Sequence, residues 1–365
     1  MTHIPQTVNL KWPKSTELLG LKLTLKPEED SLLLPKYSVG LHAWFLDQVR
    51  ESNPDLSEVM HDNQTEKNFT LSRLQGSLTS KRSKIFVQAN QSYQISITAL
   101  SQPLATWLGT WVKNLPDHLQ LFDTVFCISD PGIELAPLTY SKLTKTPLMD
   151  KLALNFLSPT SFRSRGHHLP LPIPRNLFHS YLRRWNTFSN QEVNMENFLD
   201  WVDDNVFLLR HQLSSVKTVA GKRGSITGFI GTIELGCLKQ PPEKSEFAKL
   251  FSTLANLAPY CGTGHKTAFG LGVTRIGWEP HWQDHIPTHS ELLLSERIDE
   301  LTHLFRSQRK RQGKERALHT AQTWATILAR REMGHALSDI ADDLEIPYLT
   351  VKTYCKLARR AYKNG

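Results

Sequence analysis

The sequence predicts an α+β protein that consists of two tandem ferredoxin-like units (βαββαβ) and a small all-α, helix-turn-helix-like C-terminal domain. The order strand, helix, strand, strand, helix, strand occurs twice along the 365 residues, and the last part contains only helical patterns. We place the two units at residues 1–145 and 146–280, a basic helical linker at 281–315 and the C-terminal domain at 316–365.

In the first unit, Leu21, Leu23 and Leu25 alternate with polar residues, which is typical of a half-buried strand. Apolar residues at helical spacing then predict a helix that ends where Asn53-Pro54 interrupts the pattern. The predicted elements after the first strand are a helix at 38–52, strands at 84–89 and 93–100, a helix at 103–115 and a strand at 119–128.

The second unit repeats this order with less regular patterns. Residues 197–219 mix helical and strand periodicity and give no single assignment. The other predicted elements are a strand at 151–157, a helix at 176–188, a strand at 225–238, a helix that begins at Ser245 and a strand at 273–278. Four further helical patterns cover 291–305, 317–331, 336–346 and 349–362.

Composition restricts the classes of partner and compartment. The net charge of +8 and pI near 9.2 favour a polyanionic partner such as nucleic acid. The four cysteines are far apart in the chain, which argues against a zinc ribbon or a disulfide framework and favours a reducing cytoplasm. We expect neither a signal peptide nor a membrane-spanning helix, and no metal or other cofactor.

The stretch CGTGHKTAFGLGV, residues 261–273, has four glycines around His265 and Lys266. A dinucleotide fingerprint places its glycines between a strand and a helix, whereas these glycines follow a helix and precede a strand. Two interpretations remain. The segment is a tight helix-to-strand connection, or it is a main-chain concavity that presents His265 and Lys266 to phosphate oxygens.

Several further motifs occur in a characteristic order. The first helix leads through Asn53-Pro54 to His61, then to Lys67 and Phe69-Thr70-Leu71-Ser72. The second unit contains Ser158-Pro159-Thr160-Ser161-Phe162-Arg163 and later Gly228-Phe229-Ile230-Gly231. Together with the glycine segment, this order over residues 1–280 resembles the RAMP proteins of CRISPR systems, specifically the endoribonucleases that cut precursor CRISPR RNA within its repeats.

The resemblance implies metal-independent RNA cleavage, in which a ribose 2′-hydroxyl attacks the neighbouring phosphate and leaves 2′,3′-cyclic phosphate and 5′-hydroxyl ends. His61 then corresponds to the general base or acid and Lys67 to the group that stabilises the developing charge. Many family members carry a Tyr on the first helix, and the matching Leu46 cannot transfer a proton. His42, one turn earlier, either replaces that Tyr or only packs in the helix.

The predicted partner is precursor CRISPR RNA, and the alternative is a non-catalytic RAMP subunit that holds guide RNA in an effector complex. We expect the glycine segment to contact RNA at a distance from the bond that is cut. The candidate RNA-binding residues are Arg163, Arg165, His167, His168, Arg183, Arg184, Gly262, Gly264, His265, Lys266, Gly270 and Gly272.

Residues 336–352 resemble the helix-turn-helix of LuxR-type and sigma-factor-region-four regulators, with Glu345 where the turn often has a small residue. The second helix of this motif predicts a nucleic-acid-binding face, for DNA or for the RNA substrate. The alternatives are a protein-docking module and a transcription regulator in which this domain dominates. The candidate residues are Lys352, Lys356, Arg359, Arg360 and Lys363.

Overall fold

The computed structural model of the protein describes residues 10–34, 36–61, 66–81, 84–164, 167–219, 225–238, 245–279, 289–308 and 314–363. The side chain of His61 and all of Arg165 lie outside this part of the chain. None of the helices in these ranges combines the length and the apolar character that crossing a membrane requires.

The first unit is a helix-backed antiparallel sheet built on alternating leucines. Its elements are β1 (Leu18–Pro27), β2 (Ser31–Leu33), α1 (Tyr37–Ser52), α2 (Pro54–His61), β3 (Phe69–Leu71), β4 (Thr79–Lys81), β5 (Lys84–Val87), β6 (Tyr93–Ala99), α3 (Gln102–Trp111), β7 (His118–Leu121), β8 (Thr124–Leu138) and α4 (Tyr140–Leu143). The main sheet has the order β3-β6-β1-β8-β7, so the first strand lies between the third and fourth strands of the predicted motif. This arrangement is ferredoxin-like.

The second strand of the first unit was predicted in the wrong place. The segment predicted at 84–89 forms β5, which pairs with β2 and β4 in a separate three-stranded sheet. The second strand of the main sheet is β3, which pairs with β6. It has only three residues, all of them buried, and this is too short a run to show the alternation from which a strand is predicted.

The second unit repeats the same topology. Its elements are β9 (Lys151–Thr160), β10 (Phe162–Ser164), β11 (His167–Leu169), α5 (Pro174–Phe188), α6 (Met195–Asn205), β12 (Val206–Val219), β13 (Ser225–Cys237), α7 (Ser245–Cys261) and β14 (Thr274–Ile276). The sheet order β12-β13-β9-β14 again places the first strand between the third and the fourth. The mixed pattern at 197–219 arises because α6 ends at Asn205 and β12 begins at the next residue.

The described residues of the C-terminal part form four helices: α8 (His289–Ser307), α9 (Lys314–Glu332), α10 (Leu337–Leu344) and α11 (Tyr348–Lys363). Leu294, Ile298 and Leu301 of α8 share a buried cluster with Ala325 and Leu328 of α9. Most of the segment predicted as a linker is therefore a helix with its apolar face in the core of the C-terminal bundle.

Contacts between the two ferredoxin-like units fix the position of the glycine segment. The hydroxyl of Thr98 donates a 2.6 Å hydrogen bond to the carbonyl of Tyr260, just before the segment begins. Arg275, just after it, forms an ion pair with Glu134 of the first unit. Ala268, in the middle of the segment, belongs to the buried core of the first unit.

Candidate active site

A cleft of about 640 Å³ opens between the two ferredoxin-like units. Glu66 and Lys67 line it from the first unit, and helix α5 and residues 264–269 line it from the second. Among the described residues on its walls, arginine and lysine outnumber carboxylates by six to two, so the cleft suits a polyanion. The six are Lys67, Arg163, Arg175, Arg183, Arg184 and Lys266, and the two carboxylates are Glu66 and Glu196.

The backbone of residues 262–272, which we call the glycine loop, takes a path that excludes side chains at two positions. Gly264 has φ +78° and Gly272 has φ +67°, both in the left-handed region that favours glycine. A Cβ atom on Gly264 would lie less than 3.0 Å from the carbonyl oxygen of Ser161, and one on Gly272 would meet the carbonyl oxygen of Thr263 as closely. The glycine loop is thus a tight connection and also a wall of the cleft.

Arg184 holds the glycine loop in this path. Its guanidinium is buried and donates hydrogen bonds to the carbonyl of Gly264 at 3.0 Å and to the hydroxyl of Ser180 at 2.7 Å. The Ser180 hydroxyl in turn accepts a hydrogen bond from the Gly264 amide at 2.8 Å. These contacts make Arg184 a support of the loop, while Arg183 points a half-exposed guanidinium into an ion pair with Glu66.

The two polar side chains at the centre of the glycine loop are partly buried. Burial, followed by the charge of Lys266, lowers the pKa of His265 to about 4. Burial and the neighbouring Arg163 lower the pKa of Lys266. The imidazole of His265 is therefore neutral near pH 7 and can interact with RNA only as a neutral donor or acceptor.

The lowered pKa of His265 makes the stability of the folded chain depend on pH. Because the unfolded chain binds a proton with the ordinary His pKa near 6.5 and the folded chain only near 4, stability is greatest above pH 6.5 and falls as the pH drops towards 4. Between pH 7.5 and 5, we expect the His265→Asn variant to lose about 1 kcal/mol less stability than the parent chain. This value is reduced because the His265 side chain is partly exposed to solvent. Urea unfolding at the two pH values measures this difference.

His303, an exposed histidine of α8, provides the matched control for this measurement. His303→Asn should leave the pH dependence unchanged. Equal acid sensitivity of the His265→Asn variant and the parent chain would contradict the expectation.

His42 lies on α1 against the glycine loop. Its ring stacks on Phe269 at a centroid distance of 4.1 Å and on Phe69 at 5.6 Å, and its Nδ1 lies 3.1 Å from the carbonyl oxygen of Ala268. A carbonyl oxygen only accepts, so Nδ1 carries the proton in this contact and Nε2 is the basic nitrogen of the neutral ring. The glycine loop therefore touches a candidate catalytic histidine.

Hydrogen bonds at the two ends of α2 position the candidates His61 and Lys67. Asn53 accepts a 3.0 Å hydrogen bond from the amide of Leu56, and Pro54 occupies the first helical position, so the Asn53-Pro54 pair begins a second helix as well as ending α1. At the other end, the Lys67 ammonium donates a 2.7 Å hydrogen bond to the carbonyl of Met60. Lys67 is thereby held beside the end of α2, where His61 is the last helical residue.

Leu46, which the resemblance matches with the Tyr of many family members, is buried in the core of the first unit. It offers no group for proton transfer, as expected from its chemistry. His42, one turn earlier on α1, contacts Ala268 and Phe269, and both of these residues line the cleft.

The remaining candidates are divided between the cleft and its surroundings. Arg163 lines the cleft and is exposed. His167, on the neighbouring strand β11, is also exposed but is not among the residues that line the cleft. His168 lies 3.4 Å from the hydroxyl of Ser161, and burial lowers its pKa.

Helix α5 supplies two cleft residues that are not among the candidates predicted from the sequence, Arg175 and His179. They precede Arg183 at intervals of four, which places all three on one face of the helix. That spacing is the sequence signal from which they can be predicted.

One group among the described residues has the chemistry and spacing to hold a metal ion. It consists of Glu28, His118 and Cys127, none of which lines the cleft. His118 pairs with Cys127 across β7 and β8, and Glu28 follows the neighbouring strand β1. The group could not be predicted from the sequence, because only the sheet brings these residues together.

Comparisons with known proteins place the chain in a family. Residues 19–110 match the CRISPR Cas6 N-terminal domain, and residues 154–274 match CRISPR-associated endoribonuclease Cas6. Both matches end before α8. No curated protein matches the sequence.

Solved structures share the fold of this chain. A Cas6 (TTHB231) product complex is 23% identical, with a TM-score of 0.60 over 71% of this chain and 100% of that chain. A Cas6 (TTHA0078) product complex is 25% identical, with a TM-score of 0.57 over 71% and 99% of the two chains. Thermus thermophilus Cas6 (TTHB231) is 21% identical, with a TM-score of 0.55 over 72% and 99%. The chain therefore belongs to the Cas6 family of CRISPR-associated endoribonucleases.

Proposed function

We propose that this protein is a cytoplasmic endoribonuclease that cuts precursor CRISPR RNA within its repeats. The observation that carries the proposal is a basic cleft lined by Lys67 and by the glycine loop, in a chain of the Cas6 family. His42 contacts Ala268 and Phe269 of this loop from behind the lining. Structures of a related Cas6 with a product and with a substrate mimic support RNA as the ligand of this cleft.

The reaction needs two proton transfers and stabilisation of one charge. As a base removes its proton, the ribose 2′-hydroxyl attacks the adjacent phosphate, and the bond to the 5′-oxygen breaks as an acid protonates that leaving group. We assign the two proton transfers to His42 and His61. The orientation of His42, with Nδ1 on the Ala268 carbonyl, leaves Nε2 as the proton acceptor.

Lys67 supplies the charge stabilisation in this proposal. Its ammonium is held at 2.7 Å from the Met60 carbonyl, so it is in position before RNA binds. A fixed cation near the phosphorane-like transition state needs little reorganisation during the reaction. The products are a 2′,3′-cyclic phosphate and a 5′-hydroxyl, and no metal ion takes part.

A second candidate function is a subunit that holds guide RNA in an effector complex without cutting it. The observation that favours it is Leu46, buried where many family members have a Tyr. The basic cleft serves either function, so the two candidates differ only in chemistry.

Incubation of the full chain with repeat RNA from the CRISPR array beside its gene tests the proposal. We expect cleavage that persists in EDTA and stops when the nucleotide before the scissile phosphate is 2′-deoxy, because the attacking group is then missing. Binding of the repeat without cleavage would support the second candidate. Cleavage that requires a divalent ion, or that survives the deoxy substitution, would contradict the proposed chemistry.

A further inference from the structure

The C-terminal helices α9–α11 lie outside the residues that match the family, and α11 has one strongly basic exposed face. We propose that this face binds duplex DNA, with α11 in the major groove. The inference is independent of the cleft and of the proposed RNA cleavage.

The connection between α10 and α11 has the geometry of a helix-turn-helix. Only residues 345–347 separate the two helices. Glu345 takes φ +52°, which ends α10, and the amide of Ile346 donates a 3.1 Å hydrogen bond back to the carbonyl of Ala341. The carbonyl of Pro347 then accepts the first bond of α11 from Val351, at 3.1 Å. A three-residue turn between two packed helices is the form this motif takes in DNA-binding proteins.

A small apolar core fixes the orientation of α11. Val351, Cys355 and Ala358 recur at helical spacing and are buried, the first two in a cluster with Ile327 of α9 and Ile340 of α10. One face of α11 therefore packs against the other helices of the bundle, and the rest of its surface faces solvent.

The exposed surface of α11 carries a continuous basic stripe. Lys352, Lys356, Arg359 and Lys363 occur at i, i+4, i+7 and i+11, all are exposed, and Arg360 lies beside them. The stripe extends along about 17 Å of helix, enough to contact several phosphates. The helix contains no acidic residue.

The first turn of α11 is exposed and apolar. Leu349 is 73% exposed and Tyr348 is 48% exposed, although both are large side chains that usually become buried. In a helix-turn-helix the first turn of the second helix contacts base edges, where apolar side chains can pack on thymine methyl groups. The basic stripe then follows from this turn towards the sugar-phosphate backbone.

Shape favours duplex DNA over RNA as the partner. The major groove of B-form DNA admits a helix, whereas the major groove of A-form RNA is too deep and narrow. Single-stranded RNA is usually bound on aromatic platforms or in grooves, and α11 is a convex helix. Asp339 and Asp342 are exposed on α10 and would repel phosphates, so the phosphate contacts are made by α11.

A buried ionic cluster ties this DNA-binding module to the first unit. Asp343 of α10 pairs with Arg330 of α9 and with Lys36, which directly precedes α1, and the side chains of Asp343 and Lys36 are only 5% and 13% exposed. Burial of such a pair fixes geometry, since either charge alone would be costly to bury. DNA bound to α11 is therefore held in a defined position relative to the cleft.

Fluorescence anisotropy of the full chain with a labelled 30-base-pair DNA duplex tests the inference. We expect the parent chain to bind, and the triple variant Lys352→Glu/Lys356→Glu/Arg359→Glu to bind at least about tenfold more weakly, with the slope of log K against log salt lower by about 3. The matched control reverses three exposed lysines of the first unit, Lys113, Lys142 and Lys145. It should change affinity by less than about threefold.

Cleavage of repeat RNA separates this inference from the proposed function. We expect both triple variants to cut repeat RNA at the parent rate, which also shows that they fold. Absence of duplex binding by the parent chain, or equal losses in the two variants, would overturn the DNA inference whatever the result with RNA. A loss of RNA affinity in the α11 variant alone would overturn it in favour of an RNA contact.

Discussion

Replacing His42 with alanine should lower the single-turnover rate of repeat cleavage by about 10²–10⁴-fold, the range typical for the loss of a general acid or base. Affinity for the uncut repeat should change little, because the His42 ring packs against Phe69, Phe269 and the Ala268 carbonyl and is not among the residues that line the cleft. Rapid-quench assays of cleavage, together with filter binding to a 2′-deoxy repeat, measure the two quantities separately.

Two further variants distinguish proton transfer from packing at His42. His42→Asn keeps a donor for the Ala268 carbonyl, and His42→Phe keeps the stack between Phe69 and Phe269, but neither side chain transfers a proton. We expect both to be as slow as the alanine variant, and His61→Ala to be similarly slow. If His42→Phe cleaves at the parent rate, His42 is a packing residue and the chemistry belongs to His61 and Lys67.

The exposed His303 of α8 serves as the control, and His303→Ala should cleave normally. The double variant His42→Ala/His61→Ala adds a test of shared function. Residues that act in one concerted step are strongly non-additive, so the double variant should be little slower than the slower single variant. Full additivity of the two losses would argue that one of the histidines acts outside the chemical step.

The order of elements could be predicted because each unit has a strong local signal. The alternating leucines of β1 and the helical spacing that ends at Asn53-Pro54 report burial directly, since one face of each element meets the core. The three-residue strand β3 is too short to give such a signal, and its place in the sheet depends on pairing with β6, which is remote in sequence.

The candidate site could be predicted only in part, for the same reason. His61 and Lys67 follow α1 closely in the chain, and their spacing is visible in the sequence. The contact between His42 and Ala268 joins residues 226 positions apart and arises from packing between the two units. The buried pair of Lys36 and Asp343 is equally remote in sequence, and charged residues give no periodic signal that locates a partner.

The glycine loop therefore has two roles that the sequence alone did not connect. Its residues 264–267 line the cleft, and its Ala268 carbonyl fixes the proton on His42. A change in the path of the loop should consequently affect RNA affinity and the chemical step together, whereas a change at His42 should affect the chemical step alone.

Gly264→Ala provides this change in path and should destabilise the second unit by about 2–4 kcal/mol, the cost of a strained φ together with displaced hydrogen bonds. The new Cβ would collide with the Ser161 carbonyl oxygen, so residue 264 must move away from Ser161. That movement loosens the 2.8 Å bond from the Gly264 amide to Ser180 and the 3.0 Å bond from Arg184 to the Gly264 carbonyl.

Differential scanning calorimetry, repeat binding and single-turnover cleavage on this one variant measure the three consequences. We expect a lower Tm, about tenfold or greater loss of repeat affinity and a slower chemical step, because Lys266 and Ala268 move with the loop. Gly109→Ala is the matched control: it lies in helix α3, its Cβ would meet Trp12 at an ordinary 3.4 Å, and alanine is the better helix former. A Gly264→Ala variant with parental affinity and rate would separate the glycine loop from both RNA binding and His42.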